Sequence, residues 1–355
     1  MGDCPRVLPS LLVTIVSHVT YVAVTMCWVE LLICLSRRFV IKSYNAMFYC
    51  GLVALQWLLE RNIVELLPCL FQGFHSRQLR RQQERKELIK NFCKRTGKVG
   101  LQAEPIPPRI SVNESLKIIY CITPKCASRE IRLMLFPGVN GVNTPRLYRQ
   151  PADKRAMMLE TYLKFTFVRE PFERILSVYK DKFVHLRRTD RPILEFHGTE
   201  ILKNFRPNAT RQAFTKLDDI TFREFIQYLV TKGSNETTPV MDFHWDNYVN
   251  FCGLCSINYD FIGHYETMEE DLAGLVAAAG MSAEDAKRFS YKKKASDTSA
   301  LLLQYYSQIP LEWIDILGWM FRANLEMFGY SFPGPLKSLY KERKHSRAQT
   351  ASPLS

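Results

Sequence analysis

Two short segments carry side chains suited to gripping and transferring an anionic group. The first is Pro124-Lys125-Cys126-Ala127-Ser128-Arg129, which follows an apolar, β-branched run at 116–123 and leads into a stretch with Ile131, Leu133, Leu135 and Phe136 at helix-compatible positions. A strand, a turn of small residues and a helix start aim backbone N–H groups at a phosphate or sulfate. Lys125 adds a point charge and Ser128 a hydroxyl donor. Taken by itself, this segment is equally a surface turn after a core strand. The second segment is KFTFVREPFERILSVYKDKF at 164–183. It reads as a strand over Phe165 to Val168, a turn at Arg169-Glu170-Pro171, and a helix with Pro171 in its first turn, where the missing N–H is of no consequence. Arg169 at the strand end and Ser177 two turns into the helix could share one phosphate, the guanidinium supplying a two-pronged donor. A solvated amphipathic helix explains Glu173 and Lys180 but not the pairing of the two segments. No G-x-x-x-x-G-K-[ST] occurs, so neither segment is a Walker loop.

If the acceptor of the transferred group is a hydroxyl, a base should take its proton, and histidine is the usual choice. His244, just before Trp245, is the expected base; His185 and the carboxylate of Asp242 are alternatives. Cys252 and Cys255 form a C-x-x-C without a second ligand pair at zinc-site spacing, so disulfide bonding with unknown partners is expected over metal.

The elements that must position these groups lie in the second part of the chain. The protein has 355 residues and a net charge of +13. Its 47% hydrophobic content excludes a disordered chain, and apolar runs confined to one end exclude a polytopic transporter. Residues 1–60 form a membrane-anchor region: 11–29 is a span without Asp, Glu, Lys or Arg, and 43–59 is a shorter possible second span. Arg37, Arg38 and Lys42 favour a cytosolic loop between them, so with two spans, or with one in type II orientation, the bulk of the chain is lumenal. Residues 61–110 are read as a basic stem, in which 75–98 alone carry a net +7. Residues 111–335 have the composition of a globular domain, and 336–355 that of a polar tail. Sequons at Asn113, Asn208 and Asn235 agree with glycosylation in the secretory pathway.

With these blocks in view, the chain resembles the Golgi carbohydrate sulfotransferases of the HNK-1 and chondroitin 4-O-sulfotransferase family. PKCASREIR is similar to that family's 5′-phosphosulfate loop, and FVREPFERILSVYKDKF to its 3′-phosphate block. The HW pair, the C-x-x-C, YDFIGHYETMEED at 259–271 and the segment ending in GYSF are similar to its downstream blocks, in the same order, over about 116–332. The chain departs from the pattern at Arg129, Glu130 and Ile131, where a hydroxyl residue and a tryptophan are usual. The resemblance implies an α/β fold with a central parallel sheet flanked by helices, and 3′-phosphoadenylyl sulfate (PAPS) as donor, with no metal. It implies Lys125 as the cation at the leaving phosphate, and Pro124, Lys125, Cys126, Ala127, Ser128, Arg129, Arg169 and Ser177 as donor contacts. The implied acceptor is a sugar hydroxyl, with 4-O-sulfation of N-acetylgalactosamine in chondroitin or dermatan nearest, in the Golgi lumen. The basic flanks favour a glycosaminoglycan over a neutral glycan or nucleic acid. A glycan-binding pseudoenzyme with an impaired 5′ loop is the alternative expectation.

Overall fold

The computed structural model describes residues 76–97, 106–139, 143–185, 191–233, 242–291 and 298–350. The expected spans at 11–29 and 43–59 lie outside these residues, as does Asn235. Among the described residues no helix is long and apolar enough to cross a membrane.

A four-stranded sheet sits at the centre, with β1 (Ile110–Asn113), β2 (Ile118–Cys121), β3 (Leu163–Val168) and β4 (Phe261–His264) in that spatial order. The pairs β2–β3 and β3–β4 are parallel, with Tyr120 opposite Phe165 and Thr166 opposite Ile262. The β1–β2 pair is antiparallel, so the expected parallel sheet gains an antiparallel edge. The reason is local. Only Glu114 to Lys117 separate the two strands, Lys117 turns in the left-handed region (φ 51°) and its N–H bonds the Glu114 carbonyl. Four residues can reverse the chain but cannot cross over it. The parallel strands are joined through α1 (Ser128–Leu135) and α2 (Ala152–Thr161), and then through α3 (Pro171–Tyr179) and α4 (Phe222–Gly233).

Phe165, Phe167 and Ile262 in the sheet are fully buried, and Tyr120 stacks on Phe165 at 4.7 Å between centroids. Gly263 is required by this packing, because a Cβ there would lie 2.2 Å from the Phe167 ring. A second core gathers α3 and α4 with the helices Thr298–Tyr306 and Leu311–Met320, around Phe172, Phe225 and Trp245. Helix α3 belongs to this second core while starting at the end of β3, so the site forms along the seam.

Residues 80–95, expected as stem, are helical and fastened to the sheet. Ile89, Phe92 and Cys93 recur at helical spacing and are buried, forming a short apolar face among the charges. Arg85 donates to the Ile262 carbonyl at 2.7 Å and to Asp271 at 2.9 Å. Cys93 is disulfide-bonded to Cys255, and Cys121 to Cys252. The C-x-x-C therefore serves two separate bridges, anchoring this helix and β2 to one turn. Among the described residues, no group of three or more His, Cys, Asp or Glu is placed to hold a metal ion.

Candidate active site

The carboxyl ends of the parallel strands converge on a cavity of about 390 Å³, where open α/β sheets place their ligands. Beyond β2 the chain enters a loop in which Lys125 (φ 69°) and Ala127 (φ 54°) are both left-handed. Such conformations cost of order 1–3 kcal/mol each in a non-glycine residue and persist where the surroundings enforce them. Two contacts enforce them here. Thr123 Oγ1 donates to the Phe167 carbonyl, and Arg169 Nη1 donates to the Lys125 carbonyl at 3.3 Å. The loop then turns into α1, where Ile131 and Leu135 face the core; Leu133, expected on the same face, is exposed.

Arg169 leaves the end of β3 and is 3% exposed. Its guanidinium lies 4.0 Å over the Tyr265 ring and donates to Glu173 at 3.1 Å. Helix α3 starts as its sequence dictates, with Pro171 at the first turn and Glu170 accepting from the Glu173 N–H at 2.8 Å. Ser177 faces the cavity one helical turn before Asp181, which sits in a π-helical turn over Lys180–Val184. Asp181 pairs with Lys125 at 3.3 Å and with Lys182 at 3.2 Å. Burial pushes the Lys125 ammonium below its ordinary value, against the pull of Asp181. Burial alone would raise the Asp181 carboxyl, but the two lysines hold it down.

The base candidates separate cleanly. His185 is exposed at the end of the π-helical turn and does not line the cavity. His244 does, and its Nδ1 lies 2.6 Å from Asp242 Oδ1, which also accepts the His244 backbone N–H at 2.9 Å. Burial lowers the imidazole pKa despite the neighbouring carboxylate, with Lys182 and Arg109 adding to the depression. The ring is thus neutral near pH 7, Nδ1–H donating to Asp242 and Nε2 left to accept a proton. Burial would raise the Asp242 carboxyl, yet hydrogen bonds from His197, His244 and the His244 amide hold it far below the usual carboxylate range. His197 completes the arrangement at 3.4 Å from Asp242, with Tyr228 Oη at 2.9 Å from its other nitrogen. Asp242 thus holds two histidines, one through each carboxylate oxygen.

Of the expected donor contacts, Pro124, Lys125, Ala127, Ser128, Arg129, Arg169 and Ser177 all line the cavity. Cys126 does not: its thiol is buried, 3.2 Å from Tyr248 Oη, and burial raises its pKa. The lining also includes Arg109, Arg132, Asp181, Lys182, Tyr265 and Tyr291, which sequence reading passed over. Asp181 and Lys182 were within reach, one turn beyond Ser177 in the same block. Six arginines and lysines face Glu130 and Asp181 across this cavity, so the residues present fit a multiply charged anion. Asn208 is exposed, whereas the Asn113 amide nitrogen, the atom that would carry a glycan, donates to the Leu135 carbonyl at 2.6 Å.

A profile of the sulfotransferase family matches residues 108–331. Carbohydrate sulfotransferase 11 of Rattus norvegicus is 30% identical over 281 residues, covering 72% of this chain and 77% of that protein. Human carbohydrate sulfotransferase 8 is 30% identical over 276 residues, 72% of this chain and 63% of its own. Carbohydrate sulfotransferase 14 of Danio rerio is 30% identical over 251 residues, 66% and 65% respectively. No solved structure matches the chain. The aligned region contains the sheet, the cation-lined cavity and the His244–Asp242 pair, and with them the chain belongs to the sulfotransferase family, its similarity running to the carbohydrate sulfotransferases.

Proposed function

We propose that this enzyme transfers the sulfuryl group of PAPS to a hydroxyl of an acidic glycan in the Golgi lumen, with 4-O-sulfation of N-acetylgalactosamine in chondroitin or dermatan as the nearest reaction. The observation that carries the reading is the Asp242-oriented His244 facing the same cavity as Lys125, Arg169 and Ser177. In this scheme Arg169 and Ser177 hold the 3′-phosphate, and the loop from Pro124 to Arg129 holds the 5′ phosphosulfate. His244 Nε2 takes the acceptor proton as the new oxygen–sulfur bond forms. The bridging oxygen–sulfur bond breaks with its electron pair passing to the phosphate oxygen, where the Lys125 ammonium meets the growing charge. Asp242 balances the imidazolium that results. Most of the catalytic gain in such a transfer comes from alignment and charge stabilisation.

The departures from the family pattern are compatible with this scheme. Ile131 is buried on the inner face of α1, while Ser128 and Arg129 line the cavity. Two disulfides support an oxidising compartment, and with it the lumenal placement of residues beyond 60. The test is sulfate transfer from labelled PAPS onto a panel of desulfated glycans. Transfer to chondroitin or dermatan is expected. Binding of donor and glycan without transfer to any acceptor would refute the catalytic reading and leave a glycan-binding protein.

A further inference from the structure

Arg109 and Arg132 line the cavity beyond what the donor scheme uses, and Arg146 adjoins them along β1. Residues 145 and 146 lie along the outer edge of β1, with Arg146 bridged to Ser111 and the Val112 N–H bonded to the Pro145 carbonyl at 3.0 Å. Arg146 Nη1 donates to Ser111 Oγ at 3.3 Å. Arg109 lies in the turn just before β1, two residues from Ser111, and its carbonyl accepts from the Ile122 N–H at 3.1 Å. From α1, Arg132 joins them, its Nε donating to the Ser128 carbonyl at 3.3 Å. Burial, then the charges of Arg146 and Arg132 acting against the pull of Asp242, push Arg109 down to about 10. Arg146 is lowered by burial and by Arg132 and Arg149. Asp242, the carboxylate that opposes this crowding at Arg109, is already shared by two histidines. An anion bound among these guanidinium groups would offset their mutual repulsion.

From the cavity that Arg109 and Arg132 line, the cluster reaches toward the acceptor side through Arg109. Arg109 lies 3.1 Å over the centroid of Phe243, and Phe243 packs against His244 at 3.9 Å between centroids with the rings tilted by 36°. These two contacts hold the guanidinium within about 7 Å of the base. Phe243 also lines a second, largely apolar cleft of about 800 Å³, together with Pro107, Phe196 and Asp242. Phe243 lines both cavities, so Arg109, packed on its ring, stands where that cleft meets the donor cavity and close to His244.

We propose that Arg109, Arg146 and Arg132 form a binding site for an anionic substituent of the acceptor glycan, a uronate carboxylate or an existing sulfate ester, and so select an acidic acceptor. The proposal rests on the sulfotransferase reading of the cavity. A planar guanidinium fork matches the two oxygens of either group, and a lysine does not.

The experiment compares wild type, R146Q, R109Q and R146K on desulfated chondroitin, its carboxyl-reduced form and a pre-sulfated chondroitin. Binding of 3′-phosphoadenosine 5′-phosphate is measured in parallel by calorimetry. For R146Q and R109Q, the preference for desulfated chondroitin over the carboxyl-reduced polymer is expected to fall about tenfold through KM, with R146K intermediate. If the anion is instead an existing sulfate, the same loss appears on the pre-sulfated polymer alone. For R146Q, nucleotide affinity should stay within twofold. An unchanged preference in both comparisons overturns the inference while transfer itself upholds the sulfotransferase reading. Loss of nucleotide affinity equal to the loss of kcat/KM also overturns it, by assigning the arginines to the donor. The same preferences are read in polysaccharide binding, so the inference is decided even if no acceptor is sulfated.

Discussion

Replacing Asp242 by asparagine tests the proposed base most directly, because it keeps the size of the side chain and removes its charge. In the intact enzyme the carboxylate holds the His244 ring through a 2.6 Å contact and faces an imidazolium once the proton is taken. Two unit charges about 4 Å apart at an effective dielectric near 20 attract by about 4 kcal/mol. His244 and Asp242 are 12% and 18% exposed, and solvent at this partly open rim reduces the attraction to roughly 2 kcal/mol by the same relation. Losing that attraction, D242N lowers the His244 pKa further. Activity requires the neutral imidazole and so is lost as pH falls through that pKa. The acid limb of kcat/KM, already below the ordinary histidine value because of burial, should move to lower pH in D242N. The plateau should drop by about 10²- to 10⁴-fold, the usual worth of a positioned base. The assay is sulfate transfer between pH 4.5 and 8, with near-ultraviolet circular dichroism to confirm folding. Because the two residues act as a unit, D242N/H244A should be no slower than H244A. An acid limb that stays in place or moves upward, or an H244A enzyme retaining a third of wild-type kcat, would refute the reasoning.

Three further outcomes are expected. Lys125 must be charged to meet the leaving group, so activity falls as pH rises through its depressed pKa; D181N removes a supporting charge and should move that alkaline limb to lower pH, read from kcat against pH. G263A drives a methyl group into the Phe167 ring and should cost about 2–3 kcal/mol, measured as the shift in urea midpoint at unchanged m. C255S opens the bridge to the 80–95 helix and should cost about 2–5 kcal/mol, seen as a lower Tm, whereas C126S breaks no bridge and should leave Tm within a few degrees.

Where the sequence encodes local geometry, the structure could be read from it. The apolar run ending in Cys121, the strand closing at Val168 and the helix opening at Pro171 all have neighbours that dictate them, and they deliver Lys125, Arg169 and Ser177 to one cavity. What escaped depends on partners distant in the chain. Residues 80–95 look like a solvated charged stretch until Asp271, 186 positions beyond Arg85, supplies the counter-ion that permits burial. Asp242 reads as a lone carboxylate until His197 approaches from 45 residues away. Arg109 and Arg146 belong to different segments and meet only because 145–146 lies along β1. The exposed Leu133 fails a simple apolar count because α1 has just eight residues and buries a single stripe, Ile131 and Leu135.

The two disulfides are nested. The bridge between Cys93 and Cys255 encloses the one between Cys121 and Cys252, and these close rings spanning 162 and 131 positions. Lys125, Arg169, Ser177, Asp181, Asp242 and His244 all belong to the inner ring. During synthesis neither ring can close until the turn at 252–255 has emerged, so the site is sealed late, and a chain ending before that turn leaves Cys93 and Cys121 as thiols exposed to mispairing. Once sealed, a single proteolytic nick between Cys121 and Cys252 releases no fragment. The cut halves stay joined until reductant is added, and a nicked enzyme that runs intact on a non-reducing gel can retain every group that touches the donor.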